Sequence, residues 1–529
     1  MSAAILLAAV LAAGAASPEP PRERVDTSWV EPSGRSIRVP AGGDLQEAID
    51  RAVPGDEIVL AAGGHYTGPF RLRRRDGPGW VLIRTDALDR LPPPGGRATP
   101  AHARWMARLG AASGPIVSAD PGAGGYRLAG LEIAPSPGTF VHDVVQLGGH
   151  PESEQDLPRY IVIDRCWLHG DPARGSRRGV ALNGAHLAVI GSTLTDFKEV
   201  GADSQAVAGW GGPGPFRIAN NDLQAAGENI LFGGADPRIR GLVPSDIEIV
   251  GNRLSKPLAW KEGDPAFDGT AWTVKNLLEL KNARRVIIEG NLLERNWAHA
   301  QNGFAILLTV RNQDGSAPWS TIEDVLLARN VVRRSGGGVN ILGRDDAAPS
   351  GRARRISIRN NLFQEIGGGA YGGAGILFQL LRGTADLVIE DNTAVQSGSL
   401  IMAEGEPHDR FVFRGNIAPH NDLGAVGTGT STGAQTLGRY FPGCEMRGNV
   451  LPGGPARLYP PGNHFPRDLE SVRFVDLRGH RLRLRAGSPF QGTGPGGRDP
   501  GADLDTLCAA LSTADRPPDC GPDHGSASR

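Results

Sequence analysis

Neither sign of charge prevails in this chain. Fifty-six Lys and Arg residues face 57 Asp and Glu, a formal net charge of -1. Without a basic excess, nucleic acid is not an expected partner. Cysteine is scarce, with four in 529 residues and no Cys-x-x-Cys pair, so thiolate zinc sites are not indicated. Beyond residue 17 no apolar run reaches the ~20 residues of a membrane span. HExxH and P-loop motifs are absent, and with them the chemistries they mark. No helical period recurs, which excludes leucine-rich and ankyrin-type solenoids.

What the chain has in quantity is turn formers. Its 75 Gly and 41 Pro are about double ordinary usage. They are spread along the sequence, so they read as many turns rather than one disordered linker. Met1 to Ser17 is almost wholly apolar and small, ends in Ala13-Gly14-Ala15-Ala16, and is followed by the helix-breaking Pro18, Pro20 and Pro21. Residues 1–17 are therefore expected to be a signal peptide, 18–36 a linker, and the protein secreted or periplasmic, with no transmembrane segment in its mature form. After export Cys508 and Cys520 can pair. Cys166 and Cys444 lie in apolar segments as expected buried thiols.

One short pattern repeats. Two apolar residues at alternate positions precede a turn residue and then Asn, as in Ile247-Glu-Ile-Val-Gly-Asn252 and Val286-Ile-Ile-Glu-Gly-Asn291. Asn221, Asn330, Asn361, Asn392, Asn416 and Asn449 hold the same register, while Cys166 and Ser192 end two earlier copies. A fixed motif at variable intervals fits coils with constant turns and variable loops. Coils stack about 4.8 Å apart, so Asn side chains at one bend can hydrogen-bond up the stack. Asn also tolerates left-handed backbone angles, which such a bend can require.

Short alternating strands precede each Asn strand, for example Leu277 to Lys281 before Val286. The fold class read from this pattern is all-β: a single-stranded right-handed parallel β-helix over residues 37–505, with an asparagine ladder. Residues 506–529 form a C-terminal tail. Asp44 to Ala52 places Leu45, Ala48, Ile49 and Ala52 at helical spacing and is expected to be the N-terminal capping helix. Thr99, Pro100 and Gly110 mark a second helix, Thr99 to Leu109.

The cap, the ladder and the closing Ser488-Pro489…Asp499-Pro500-Gly501-Ala502 resemble the pectin-lyase-like superfamily. Gly201-Ala-Asp-Ser-Gln205, Gly227-Glu-Asn-Ile-Leu-Phe-Gly-Gly234 and Leu308-Thr-Val-Arg-Asn-Gln-Asp-Gly315 are similar to a group of exported bacterial β-helix proteins. The resemblance implies a polysaccharide lyase, a glycoside hydrolase, an esterase or a non-catalytic surface protein, and fold alone does not choose.

Outward strand positions are expected to form a polar strip of Gln146, Asn183, Glu279, Asn340, Gln379 and Glu404, with Glu228, Lys281 and Arg311 at its edges. Long loops contribute Trp210, Trp260, Trp272, Trp297 and Trp319, whose faces suit sugar rings. With Asp203, Gln205, Asn340, Gln379 and Glu404, Trp210 and Trp260 make the expected substrate-binding set, and a glycan the expected partner. Lys281 and Arg311 on successive coils are similar to the lysine and arginine of chondroitinase-B-like and alginate-lyase-like β-helix enzymes. That likeness implies β-elimination on a uronic acid. The calcium-site pattern of that family is not evident, but Glu228 and Glu279 are the expected carboxylates of a Ca²⁺ site, two of the groups that its six to eight oxygens would need. Hydrolysis is the rival, through Glu228 with Glu279 or Asp203 with Glu228. His299 is a further acid–base candidate. A glycan-binding protein without catalysis is the third class.

Overall fold

The computed structural model describes residues 15–512 and 516–520. Its core is a solenoid of three parallel sheets with 14, 11 and 12 strands. We number these sheets 1, 2 and 3. Each coil runs from sheet 1 through the Asn bend into sheet 2, then through a loop into sheet 3. Register is strict. Leu187, Phe216, Ile247, Val286, Val325, Ile356 and Leu387 face inward in one column of sheet 1. Nearly all are fully buried. Each such side chain contributes about 1.5–3 kcal/mol relative to exposure, and the residues between them point outward.

The ladder forms as the repeat predicts. The backbone N–H and Nδ2 of Asn221 donate to Oδ1 of Asn252 at 2.9 and 3.0 Å, and Asn252 does the same to Asn291 at 2.9 and 3.0 Å. Every rung to Asn449 follows suit. Ser192 extends it at one end and Asn463, outside the repeat pattern, at the other. The left-handed residue differs from expectation. It is the one before each Asn, with φ of 53° at Asn220, 64° at Gly251, 54° at Arg329 and 52° at Asp391. The ladder Asn serves by side-chain bonding, and its neighbour absorbs the bend.

The N-terminal cap is α1, Leu45–Arg51, with Leu45, Ala48 and Ile49 buried and Asp44 accepting from the Glu47 N–H. The expected second helix is one short 3₁₀ segment, Pro100–Trp105, and Ala107–Ala111 is a strand. Ala107, Leu109 and Ala111 alternate inward, and that period-two burial outweighs the helix-start signals. A short helix near the other end, α2 (Ala434–Tyr440), packs with Leu437 and Tyr440 buried.

Both chain ends fold back along the solenoid. The segment expected to be a linker lies along the outer face of sheet 1, with Val25 buried against Val162 and Ala188. The boundary at 505 falls inside a helix, α3 (Leu504–Ala510). Leu504, Leu507 and Leu511 cover Leu292, Val331 and Leu362 on the outer face of sheet 2. The expected Cys508–Cys520 disulfide is present, with Cα atoms 5.4 Å apart. Cys166 is buried as expected, whereas Cys444 is only half-buried. The signal peptide lies almost wholly outside the described residues. No helix among them is long and apolar enough to cross a membrane.

One buried histidine ties stability to pH. His408 is fully buried, its Nδ1 accepting from the Thr384 N–H at 3.0 Å. Burial pulls its pKa from 6.5 down to about 4. A neutral folded His against a titrating unfolded one contributes stability that is complete above pH 6.5. It is lost as pH falls toward 4, by about 3 kcal/mol. Urea denaturation across this window should show that acid loss, and His408→Asn, which keeps an acceptor for Thr384, should flatten it. An unchanged slope in the variant would contradict the assignment.

Candidate active site on the third sheet

Sheet 3 strands bear a polar residue at their starts. Asp143, Arg178, Gln205, Glu228 and Asn276 occupy that position on five successive coils. Coil spacing brings them into contact. Arg178 donates to Asp143 at 2.7 Å and to Gln205 Oε1 at 3.2 Å; Gln205 Nε2 donates to Glu228 Oε2 at 2.8 Å. Lys275 Nζ bridges the other Glu228 oxygen, at 3.5 Å, and Asp203 Oδ1, at 2.7 Å. Asn276 Nδ2 donates to Glu279 Oε2 at 3.0 Å, and Lys281 Nζ stands 3.8 Å from Glu279 Oε1.

The loops bury this floor. Glu228 is 0% and Glu279 2% exposed, whereas the Asp203 side chain is 43% exposed. Glu279 points outward as alternation requires yet is buried, and Gln301, from the loop after residue 295, accepts from the neighbouring Asn276 at 3.2 Å. Burial, then Glu279 and Asp203, push the Glu228 carboxyl up to about 7, against Lys275 and Gln205. Burial disfavours the charge on Lys275, but Glu228 and Asp203 outweigh it and raise its pKa.

Beneath the floor, Lys256 is fully buried. Its Nζ meets the carbonyls of Ala225, Ala226, Gly227 and Asn276 at 2.8–2.9 Å and Asn229 Oδ1 at 3.3 Å. Five acceptors share three protons, so this ammonium pins the starts of the Glu228 and Asn276 strands. Burial pulls its pKa down to about 7, opposed by Glu228.

Several expected site residues stand elsewhere or do other work. Gln146, Glu279, Asn340 and Gln379 share one outward column, but Ala181, Ala208, Leu231, Leu307 and Met402 interrupt it. Asn340 donates to Gln379, two coils beyond Glu279, and Glu404 is exposed farther along. Asn183 is buried, accepting from the N–H groups of Trp210 and Gly211. The tryptophans are not open sugar platforms. Trp210 is 8% and Trp260 4% exposed. Arg178 covers Trp210, while Trp260 and Trp272 pack over the Lys198 ammonium at 5.3 and 4.9 Å. Their stacking fastens loops to the solenoid, an apolar and cation–π role. His299 is exposed and borders a cavity of about 340 Å³ beside Trp260, Trp297 and Tyr371.

Arg311 lies on the coil after Lys281 and donates its N–H to the Lys281 carbonyl at 3.0 Å. Its guanidinium turns to Asp345, at 2.9 Å, and Asp346. The calcium expectation does not fit this donor set. The Glu228 and Glu279 oxygens face Lys275, Gln205, Asn276 and Lys281, so ammonium and amide donors stand where a cation would need open oxygens.

Lys275, Asn276 and Lys256 escaped the sequence reading, though one signal pointed to them. Only five of the 56 basic residues are lysine, at 198, 256, 261, 275 and 281. Surface pairing elsewhere is left to arginine, and all but Lys261 have been placed at this site or its walls.

No protein-family model matches the chain, and no curated protein does. Solved structures do. The catalytic unit of the thermostable GH87 α-1,3-glucanase from Streptomyces thermodiastaticus strain HF3-3 aligns with a TM-score of 0.51 at 13% identity. The alignment covers 85% of this chain and 72% of that one. The PL6 family alginate lyase AlyGC gives 0.48 at 13% identity, over 80% and 53% of the two chains. A tailspike protein mutant of E. coli bacteriophage HK620, in complex with pentasaccharide, gives 0.47 at 12%, over 80% and 62%. The chain is a right-handed parallel β-helix.

Proposed function

We propose that this protein is an exported glycoside hydrolase acting on a polysaccharide laid along sheet 3. The carrying observation is the Asp203–Lys275–Glu228 bridge. One ammonium touches both carboxyl groups, so these lie within ~6 Å of each other, near the spacing of paired carboxylates in retaining glycosidases. Their environments differ as the roles require. Glu228, buried and protonated up to about pH 7, suits the acid that gives its proton to the leaving glycosidic oxygen. Asp203, open to solvent, suits the carboxylate that attacks the sugar or activates water. Lys275 holds the two apart in charge and must swing toward Asp203 for a sugar to reach Glu228. The glucanase named above acts on a polysaccharide, which agrees with this reading on fold alone.

A lyase is the second reading, favoured by Lys281 beside Glu279 with Arg311 on the next coil. Against it, two aspartates already neutralise Arg311, leaving little charge for a developing enolate. Mature protein incubated with neutral and uronic-acid polysaccharides separates the readings. New reducing ends without ultraviolet-absorbing unsaturation are expected, and Arg311→Ala should keep that rate. Unsaturated products lost in Arg311→Ala would establish the lyase. Binding on a glycan array without any product would leave a glycan-binding protein.

A further inference from the structure

A column of alternating charge runs along the edge of sheet 1. Asp246, Arg285, Asp324, Arg355, Asp386 and Arg410 occupy one position on six successive coils. All six have left-handed φ, between 51° and 60°. Each Arg grips the Asp on the coil before it: Arg285 on Asp246 at 2.7 Å, Arg355 on Asp324 at 2.6 Å and Arg410 on Asp386 at 2.6 Å. Each Asp therefore stays ionised; its Arg engages both oxygens, and Oδ1 accepts one more donor besides.

The donors come from the N-terminal segment. The N–H of Arg22 donates to Asp246 at 2.8 Å, that of Glu19 to Asp324 at 3.0 Å and that of Ala16 to Asp386 at 3.0 Å. The spacing has a simple cause. The segment is rich in proline, at 18, 20 and 21, which favours an extended helix with three residues per turn and about 9.3 Å of rise per turn. Two coils span about 9.6 Å. Every third N–H thus meets every second coil, and every second rung is an aspartate. Arg24 with Glu248, at 3.4 Å, and the buried Val25 continue the same strap toward the N-terminal cap.

The acidic rungs end at Asp386, since Arg410 is the last member of the column. The strap residue on that last acidic rung is Ala16, and the sequence before it is Ala13-Gly14-Ala15, small at both positions a signal peptidase reads. We infer that the exported chain is cut between Ala15 and Ala16 and that the new α-ammonium of Ala16 pairs with Asp386. This places the cut two residues earlier than a 1–17 leader would, and it rests on the export part of the proposed function. Hydrolysis of the Ala15–Ala16 peptide consumes one water and leaves a carboxylate on Ala15 and an amine on Ala16. Protonated, that amine adds a charge and two donors to the single N–H that Asp386 receives from an uncut chain. The leader's departure then completes a strap that closes the edge of sheet 1.

The test is to express the full chain with its own leader in an exporting bacterium and to determine the N-terminus by sequencing and intact mass. A mature chain beginning Ala16-Ser17-Pro18 is expected. A mature chain beginning at Ser17 or farther in overturns the inference and leaves export standing; a retained Met1 overturns both. The pairing has its own readout. At neutral pH, acylation of the α-amine should be several-fold slower in the wild type than in Asp386→Asn, because the ion pair keeps the amine protonated. Equal rates would overturn the pairing.

Discussion

Glu228→Gln is expected to lower polysaccharide cleavage by on the order of 10³-fold while the protein stays folded. The substitution keeps the size of the side chain and an oxygen for Gln205, which donates to Glu228 at 2.8 Å. It removes only the proton that the leaving oxygen requires. A carboxyl held up to about 7 also sets a pH limit. The acid is loaded below pH 7 and empties as pH rises through it, so the wild-type rate should fall on the alkaline side of about 7. Glu228→Gln should lose that limb. Asp203→Asn should cost a similar factor, and the double variant little more than either single one, because the two groups act on one bond. A full rate in Glu228→Gln would remove the acid from the proposal.

The second large effect concerns stability. Asn330→Ala should destabilise the solenoid by about 3–5 kcal/mol. Oδ1 of Asn330 accepts from the backbone N–H and Nδ2 of Asn291 at 3.0 and 2.9 Å, and its Nδ2 donates to the Ile288 carbonyl and to Asn361. All sit away from water, so the deletion strands donors and an acceptor on two coils and opens a small void. Asn340→Ala, ten residues on, removes the same atoms from a half-buried outer position whose one side-chain partner is Gln379. It should cost less than about 1 kcal/mol. Denaturant midpoints for the two variants make the comparison, and equal losses would contradict the ladder's role.

These two asparagines show what was legible in the sequence and what was not. The ladder is written locally: six residues with one backbone solution, repeated in register, so composition and spacing reveal it. Strand alternation is equally local, and it places Glu279 on the outer side. Burial of Glu279 is not local, because side chains from other coils decide it; Thr309 on the next coil donates to its carboxylate. The site itself joins Asp203, Glu228 and Lys275 from three coils, and no short motif records that meeting. Tryptophan misled for a related reason. A loop-borne indole reads alike whether it faces a sugar or, as Trp260 does, the Lys198 ammonium. The N-terminal strap left no apolar period, since it is held by backbone N–H groups meeting aspartates every third residue. At Thr99 the capping signals were sound but governed one turn, and the alternation of Ala107, Leu109 and Ala111 decided the rest.

Asp203 tests the central claim most directly, because it is the solvent-facing member of the pair and its replacement leaves the buried floor in place. Reducing ends released by wild type and Asp203→Asn should be counted on the same polysaccharide, with circular dichroism confirming the fold. Product from the wild type and a loss on the order of 10³-fold in the variant are expected. Product formed at the wild-type rate by a folded Asp203→Asn protein would contradict that claim.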